Sequence, residues 1–148
     1  MKKAVHVLAT LALGASLIGC QSTPLVDAQA EQVVHGVTMN TLSGEAFYRE
    51  RIALPEHAVM VVTLEDVSIA DKAATIVAQK RMTTKGKQVP LAFDLAYAAD
   101  AIDSQARYSV RVQIWVDDEL RFTSDAAYPV INNGAPTEGL KVLLRGVR

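Results

Sequence analysis

A regular alternation of apolar and polar residues between positions 106 and 124 constrains the fold of this chain more than any other feature. The apolar members fall on every second position, at Tyr108, Val110, Val112, Ile114 and Val116. Because successive side chains of a β-strand point to opposite faces, this pattern predicts one apolar face and one mostly hydrated face. Asp117-Asp118 interrupts the alternation, and Leu120 and Phe122 resume it. The segment is therefore predicted to form a long β-hairpin closed by a tight acidic turn.

A period of two recurs through most of the chain from Leu42 onward, without a stripe of helical period and helix length. Turn-forming residues such as Pro55, Gly86 and Gly134 separate the alternating segments. These segments lie at 42–49, 58–68, 75–83, 89–97, 108–116, 120–122 and 140–144, and 126–130 is also extended. About seven strands at this spacing are typical of an all-β antiparallel sandwich or barrel. The apolar phase shifts after Glu65-Asp66, which predicts a β-bulge at that point.

The position of Tyr108 favours an immunoglobulin-like sandwich within this fold class. It enters the central strand six residues after the aliphatic Ile102. That placement resembles the tyrosine corner of immunoglobulin-like and fibronectin type III sandwiches, in which the tyrosine hydroxyl bonds an upstream backbone group. The alternative is a tyrosine that merely begins a strand. We therefore predict an antiparallel immunoglobulin-like β-sandwich of about seven strands over residues 38–148.

The first nineteen residues have the features of a secretory signal peptide. Lys2 and Lys3 precede a mainly apolar run from Ala4 to Ile18, which is shorter than the roughly 20 apolar residues of a membrane-spanning helix. Leu17-Ile-Gly-Cys20 then resembles the bacterial lipobox, which implies cleavage before Cys20 and acylation of its thiol. The alternative is a buried cysteine after an ordinary signal peptide. We predict a signal peptide at 1–19 and a lipidated tether at 20–37.

The predicted location follows from the acyl chains and from the residue after the cysteine. Two or more acyl chains hold a protein durably on a membrane, so the membrane is one predicted partner. Gln21 follows Cys20, whereas in the enteric sorting pattern an aspartate there favours retention at the inner membrane. The expected location is therefore the outer membrane, with the domain facing the periplasm.

The charge balance excludes one class of partner. Lys2 and Lys3 belong to the predicted signal peptide, so 13 basic and 16 acidic side chains remain after it. A net negative domain of this kind argues against binding to nucleic acid. Cys20 is the single cysteine, so the mature domain is expected to contain no disulfide.

The sequence contains no recognisable catalytic constellation. His35 and His57 lie in different predicted loops without a cysteine partner, which does not describe a zinc site. No nucleophile-elbow or phosphate-loop motif occurs. Acidic clusters such as Glu65-Asp66 and Asp117-Asp118-Glu119 fall at predicted bulge or turn positions, where aspartate is favoured for local hydrogen bonds. We expect no enzyme activity, no metal site and no cofactor.

Three apolar side chains lie on the polar side of the predicted strands, at Trp115, Phe47 and Val61. Exposed aromatic patches often mark protein contacts, and tryptophan is enriched among the residues that dominate binding energy. They are candidate partner-binding residues. The alternative is that a loop, a short helix or the tether covers them.

Several segments, in the same order, resemble the YbaY/YscW-type lipoproteins, which include the type III secretion lipoprotein chaperones, or pilotins. The segments are Leu42-Ser-Gly-Glu-Ala-Phe-Tyr48-Arg-Glu-Arg-Ile-Ala-Leu-Pro55, Val62-Thr-Leu-Glu-Asp-Val-Ser68, Ile69-Ala-Asp71, Val89-Pro-Leu-Ala-Phe-Asp-Leu95, Tyr108-Ser-Val-Arg-Val112 and Phe122-Thr-Ser-Asp-Ala-Ala-Tyr128-Pro-Val130. The resemblance implies a periplasm-facing β-sandwich on a lipid anchor, with no catalytic residues. It also implies a non-catalytic binding or assembly module whose partner is an outer-membrane protein such as a secretin subunit. The alternative is a general cell-envelope lipoprotein that binds a glycan or a small apolar ligand.

Overall fold

The computed structural model describes residues 36–148, which form eight β-strands and a single-turn 3₁₀ helix at Ala99–Ala101. The predicted signal peptide at 1–19, the lipidation site Cys20 and nearly all of the tether at 20–37 lie outside the described residues. Within 36–148 no helix has the length and apolar content that crossing a bilayer requires.

The strands occupy the segments that the period of two predicts. In chain order they are β1 (Met39–Phe47), β2 (Val59–Asp66), β3 (Thr75–Thr83), β4 (Leu91–Ala98), β5 (Tyr108–Val116), β6 (Glu119–Ser124), β7 (Tyr128–Val130) and β8 (Leu140–Gly146). The all-β prediction is therefore confirmed. The bounds of β3 match the prediction at both ends, whereas β1 begins earlier than expected.

The central hairpin of β5 and β6 forms as predicted, with Asp117 and Asp118 as its turn. Both residues have positive φ, 51° and 61°, which is the backbone that a two-residue type I′ hairpin turn requires. The pairing of the two strands shifts between Ile114 and Trp115, so Arg121 is an additional residue of β6 without a partner in β5. A bulge of this kind changes the direction in which its side chain points.

The predicted irregularity near Glu65 is also present. The register between β2 and β3 shifts between Leu64 and Glu65. Leu64 pairs with Ala78 and Glu65 with Ile76, so the additional residue, Val77, belongs to β3 rather than to β2. The shift in apolar phase after Glu65-Asp66 therefore predicted the position of the bulge correctly. The bulged strand is β3, however, and not β2.

The strands follow one path, in the order β3-β2-β5-β6-β8-β1-β4, with β7 beside β5. This path forms a nearly closed, barrel-like sheet, and the predicted immunoglobulin-like sandwich is not confirmed. The prediction of purely antiparallel pairing is wrong, because β1 and β8 pair in parallel. Alternation along a strand reports which side chains share a face, but it carries no information on the direction of the neighbouring strand.

Gly44 allows the parallel pair to approach closely. A Cβ atom at this position would lie 2.4 Å from the carbonyl oxygen of Leu140 and 2.6 Å from its Cβ. The two residues are partners in the β1–β8 register. A glycine is therefore required where the start of β8 pairs with β1. The end of β8 pairs with β6, so β8 joins the two parts of the sheet.

The two ends of the strand path, β3 and β4, face each other across a seam that no strand pairing closes. The Lys80 ammonium group of β3 contacts the Asp94 carboxylate of β4 across this seam. Charged side chains on edge strands disfavour pairing with another chain.

The interior is filled by the apolar side chains that alternate along the strands. The fully buried members with the largest volumes are Leu42, Met60, Leu64, Leu95, Ile114, Leu144, Val62, Val110, Val112, Val130 and Val142. Tyr108 is buried beside this core, and its hydroxyl accepts a hydrogen bond of 2.9 Å from the backbone N–H of Asp103. The hydrogen bond to an upstream backbone group that was expected of Tyr108 is present.

Candidate functional site

Trp115 lies on the outer face of β5, opposite to the core-facing residues Val112 and Ile114. Its register partners are Val59 on β2 and Leu120 on β6. All three side chains are half-buried. Together with Val61, the next outward residue of β2, they form an apolar surface that we call the tryptophan face.

Val61 is the buried member of the tryptophan face. Its side chain is only 3 % exposed, although it lies on the outward side of β2. The register places Arg81 of β3 and Gln113 of β5 on either side of it, and both carry long side chains. Among the predicted contact residues, Val61 therefore supports the surface by packing, and Trp115 presents more area to a partner.

The outer face becomes polar toward the other end of β2. The Oε2 atom of Glu65 accepts hydrogen bonds from Nε and Nη2 of Arg111, at 3.1 and 2.9 Å. The hydroxyl of Thr63 accepts a hydrogen bond of 3.0 Å from the Gln79 side chain. The outer face of the sheet is therefore polar around Thr63 and Glu65 and apolar at the tryptophan face.

Phe47 does not belong to the tryptophan face. It lies at the end of β1, where its register partner is Leu143 of β8. Two strands, β6 and β8, separate β1 from β5 along the path. Trp115 and Phe47 therefore do not share one contact surface, because alternation along a strand does not show which strands are neighbours.

The acidic clusters serve local structure in the described part of the chain. The Asp66 carboxylate accepts hydrogen bonds from the hydroxyl and the backbone N–H of Ser68, and these lower the pKa of Asp66. Asp117 lies 3.1 Å from the exposed imidazole of His57 and forms the hairpin turn. Among residues 36–148, no group of three or more His, Cys, Asp or Glu side chains is arranged to hold a metal ion.

A second feature was not predicted. A cavity of about 690 Å³ lies between the loop after β1, strand β6 and the end of β8. Its lining consists of Arg49, Glu50, Ile52, Arg121, Phe122, Leu143, Leu144, Arg145, Gly146, Val147 and Arg148. We call it the arginine cavity. No local pattern brings together four arginines from three separate segments, so only the tertiary structure reveals it.

The loop beside the arginine cavity is held by specific contacts. The Tyr48 hydroxyl donates a hydrogen bond of 2.7 Å to the backbone carbonyl of Ile52. The Oε1 atom of Glu50 accepts a hydrogen bond of 3.1 Å from the backbone N–H of Gly146. This bond is the main cause that lowers the pKa of Glu50, and burial raises the pKa of Tyr48. The loop is thereby tied to β8.

Comparison with known proteins assigns the chain to a family. Residues 37–142 match the family described as type III secretion system lipoprotein chaperone (YscW). The chain belongs to this YscW family. Within it, the chain is 33 % identical to the uncharacterized lipoprotein YbaY of Escherichia coli (strain K12), over 95 % of this chain and 79 % of that protein. The resemblance to YbaY/YscW-type lipoproteins is therefore confirmed.

A solved structure extends this relationship. The chain is similar to an alternative pilotin from the type II secretion system of Vibrio cholerae, with a TM-score of 0.72 and 45 % sequence identity. The match covers 75 % of this chain and 99 % of that chain. The match therefore includes nearly the whole of that pilotin structure.

Proposed function

We propose that this protein is a lipid-anchored assembly module that binds a secretin subunit of the outer membrane and performs no catalysis. The observation that carries the proposal is the 45 % identity to a pilotin over 99 % of that solved chain. Membership in a family of lipoprotein chaperones supports a role in the cell envelope and a non-enzymatic mode of action. A chaperone acts by contact, so the relevant features are the anchor and the binding surface.

The proposed anchor is Cys20, acylated after removal of residues 1–19 and held in the outer membrane with the domain facing the periplasm. Residues 20–37 would then form the tether to β1. A fully extended tether of this length reaches roughly 60 Å, since each residue spans about 3.3 to 3.6 Å. The domain could therefore meet a partner well away from the membrane surface while its acyl chains stay inserted.

The proposed contact surface for the secretin subunit is the tryptophan face. Trp115 presents a large, half-buried ring between Val59 and Leu120, and Val61 supports it from the buried row. A rigid aromatic side chain surrounded by apolar neighbours is the usual anchor of a protein interface. Phe47 is a separate candidate contact on β1, because it lies apart from this face.

Affinity capture from solubilised outer membranes, with the full-length lipoprotein as bait, tests the proposal. Recovery of a secretin subunit is expected, and Trp115→Ala is expected to reduce it at least tenfold, as alanine substitution at a dominant interface residue does. Ile69→Ala is the matched control, because Ile69 is an exposed aliphatic residue outside the tryptophan face. Recovery of no secretin would contradict the partner, whereas equal recovery with Trp115→Ala would contradict the surface alone.

A second candidate function, binding of a small apolar ligand, is favoured by a cavity at the seam between β3 and β4. This cavity has a volume of about 680 Å³, and its lining combines Met60, Met82 and Leu91 with polar residues that include Lys85 and Lys87. Methionine side chains adapt to irregular apolar ligands. A ligand that binds only the folded state raises the melting temperature, so a panel of fatty acids and glycans in a thermal-shift assay tests this function.

A further inference from the structure

The arginine cavity concentrates positive charge on a chain whose formal net charge is −1. Its lining contains four arginines and one glutamate, so the lining side chains carry a formal charge of +3. The four arginines come from the loop after β1, from the bulge in β6 and from the end of β8. Exposed like charges from three segments raise the local positive potential, which attracts an anionic group.

The carboxylates near the cavity compensate only part of this charge. Glu50 is committed to the backbone N–H groups of Gly146 and Arg49, at 3.1 Å each. Arg121 lies 3.8 Å from Glu119, and Arg145 lies 3.9 Å from Asp125. Both separations exceed the length of a hydrogen bond between a guanidinium and a carboxylate.

The remaining two arginines of the cavity, Arg49 and Arg148, form no salt bridge within the described residues. Within residues 36–148, neither Arg49 nor Arg148 lies within 4.0 Å of a carboxylate oxygen as a salt bridge. Their guanidinium groups keep donors for an incoming carboxylate. A guanidinium presents a rigid fork that matches a carboxylate with two parallel hydrogen bonds.

The cavity is also apolar. Ile52 and Val147, both in the lining, are 51 % and 46 % exposed and belong to the few large aliphatic side chains that the described domain leaves open to solvent. The buried rings and side chains of Phe122 and Leu144 lie behind them. A ligand that fits this lining therefore needs apolar groups next to its anionic groups.

The walls are held in place before any ligand binds. The backbone N–H of Val147 donates a hydrogen bond of 2.9 Å to the carbonyl of Arg121. The Tyr48 hydroxyl fixes the loop through Ile52, and Glu50 fixes it through Gly146. A preformed site loses little conformational entropy when it binds its ligand.

We propose that the arginine cavity binds an acidic peptide segment of a protein partner, with carboxylates on the arginines and aliphatic side chains against Ile52 and Val147. Its volume of about 690 Å³ holds a few side chains of such a segment. The inference goes beyond the secretin role and does not depend on it, since none of Trp115, Val61 and Phe47 lines the cavity.

The arginine cavity and the point where the chain enters the domain lie at opposite ends of β1. The chain enters the domain at Met39, the start of β1, and the cavity loop follows Phe47 at the other end of that strand. At about 3.3 Å per residue, the nine residues of β1 separate these ends by roughly 26 Å. The cavity therefore opens at the end of β1 that is remote from the segment leading to the proposed anchor.

Fluorescence anisotropy of the full-length protein in detergent, with a labelled peptide of alternating glutamate and leucine, tests the proposal. Binding is expected to weaken as salt rises and to be lost when lysine replaces every glutamate of the peptide. The double variant Arg49→Gln, Arg148→Gln is expected to weaken binding at least tenfold. Because neither arginine has a salt-bridge partner among the described residues, this variant is expected to keep the melting temperature of the parent.

The matched control is the double variant Lys72→Gln, Lys141→Gln, which removes the same charge from exposed positions outside the cavity and outside the tryptophan face. It is expected to bind the peptide as the parent does. Equal loss with both double variants, or no loss with the cavity variant, would overturn the proposal. A soluble short-chain phosphatidylglycerol that displaces the labelled peptide from the cavity would also overturn it, in favour of a lipid site.

Discussion

The ring of Tyr48 stacks on the ring of Phe122, with centroids 4.1 Å apart and planes 9° from parallel. Tyr48 follows β1 and Phe122 belongs to β6, and β8 lies between these two strands in the sheet. Both rings are buried. The stack therefore packs the β1 end of the sheet against the central hairpin, beneath the arginine cavity.

Phe122→Ala is expected to destabilise the domain by about 3 to 5 kcal/mol, because it leaves a cavity in the core and removes the stack. Urea unfolding followed by circular dichroism measures this loss. Tyr48→Phe is the matched control, since it keeps the ring and removes only the hydrogen bond to Ile52, with an expected cost of about 0.5 to 1.5 kcal/mol. A smaller loss for Phe122→Ala than for Tyr48→Phe would contradict the structural role of the stack.

Gly44→Ala is expected to destabilise the domain by about 1 to 3 kcal/mol, because the new methyl group would overlap the Leu140 backbone and separate β1 from β8. Gly36→Ala is the control, since no atom lies within 4 Å of its Cβ position. Thermal unfolding of both variants gives the comparison. Equal stability of the two would argue against the close parallel pairing.

Glu50 is expected to make the domain sensitive to acid. Hydrogen bonding to Gly146 lowers its pKa below the ordinary value of 4.5, so its carboxylate stabilises the folded state above that pH. This contribution is lost as the pH falls from about 4.5 through the lowered pKa. Glu50→Gln should therefore lose less stability than the parent over that range, as measured by urea unfolding at a series of pH values. Parallel pH profiles for the two proteins would rule out this role.

Cys20→Ser is expected to leave the domain folded and to release it from membranes. The proposed acylation attaches lipid to Cys20 through a thioether, which serine cannot form, and Cys20 precedes the first strand by a long segment. Fractionation of cells into soluble and membrane fractions measures the release, and far-ultraviolet circular dichroism checks the fold. A variant that still sediments with membranes would show that another part of the chain holds it there.

Local features of the fold were predictable because local residues cause them. The alternation at Tyr108–Val116, the acidic turn at Asp117-Asp118 and the irregularity near Glu65 each follow from side-chain parity or turn chemistry within a few residues. The tyrosine hydrogen bond to Asp103 also depends on residues that are close in sequence.

The candidate surfaces were predictable only in part. Trp115 shares the alternating positions of the polar residues, which predicts that it lies on the outer face, as it does. The strand register places Val59 and Leu120 beside it. The separation of Phe47 from that face depends on the strand order. The placement of Arg121 in the arginine cavity depends on the bulge in β6, which shifts one side chain out of the alternating pattern.

The sequence by itself determined that this chain forms β-strands, where they lie and which side chains point inward, because the period of two is a property of each strand alone. Only the tertiary structure decided that β1 and β8 run parallel, that Phe47 and Trp115 lie apart, and that four arginines surround one cavity. Those outcomes depend on which strands become neighbours and in which register. Contacts between residues far apart in the chain select that arrangement, and no short segment encodes it.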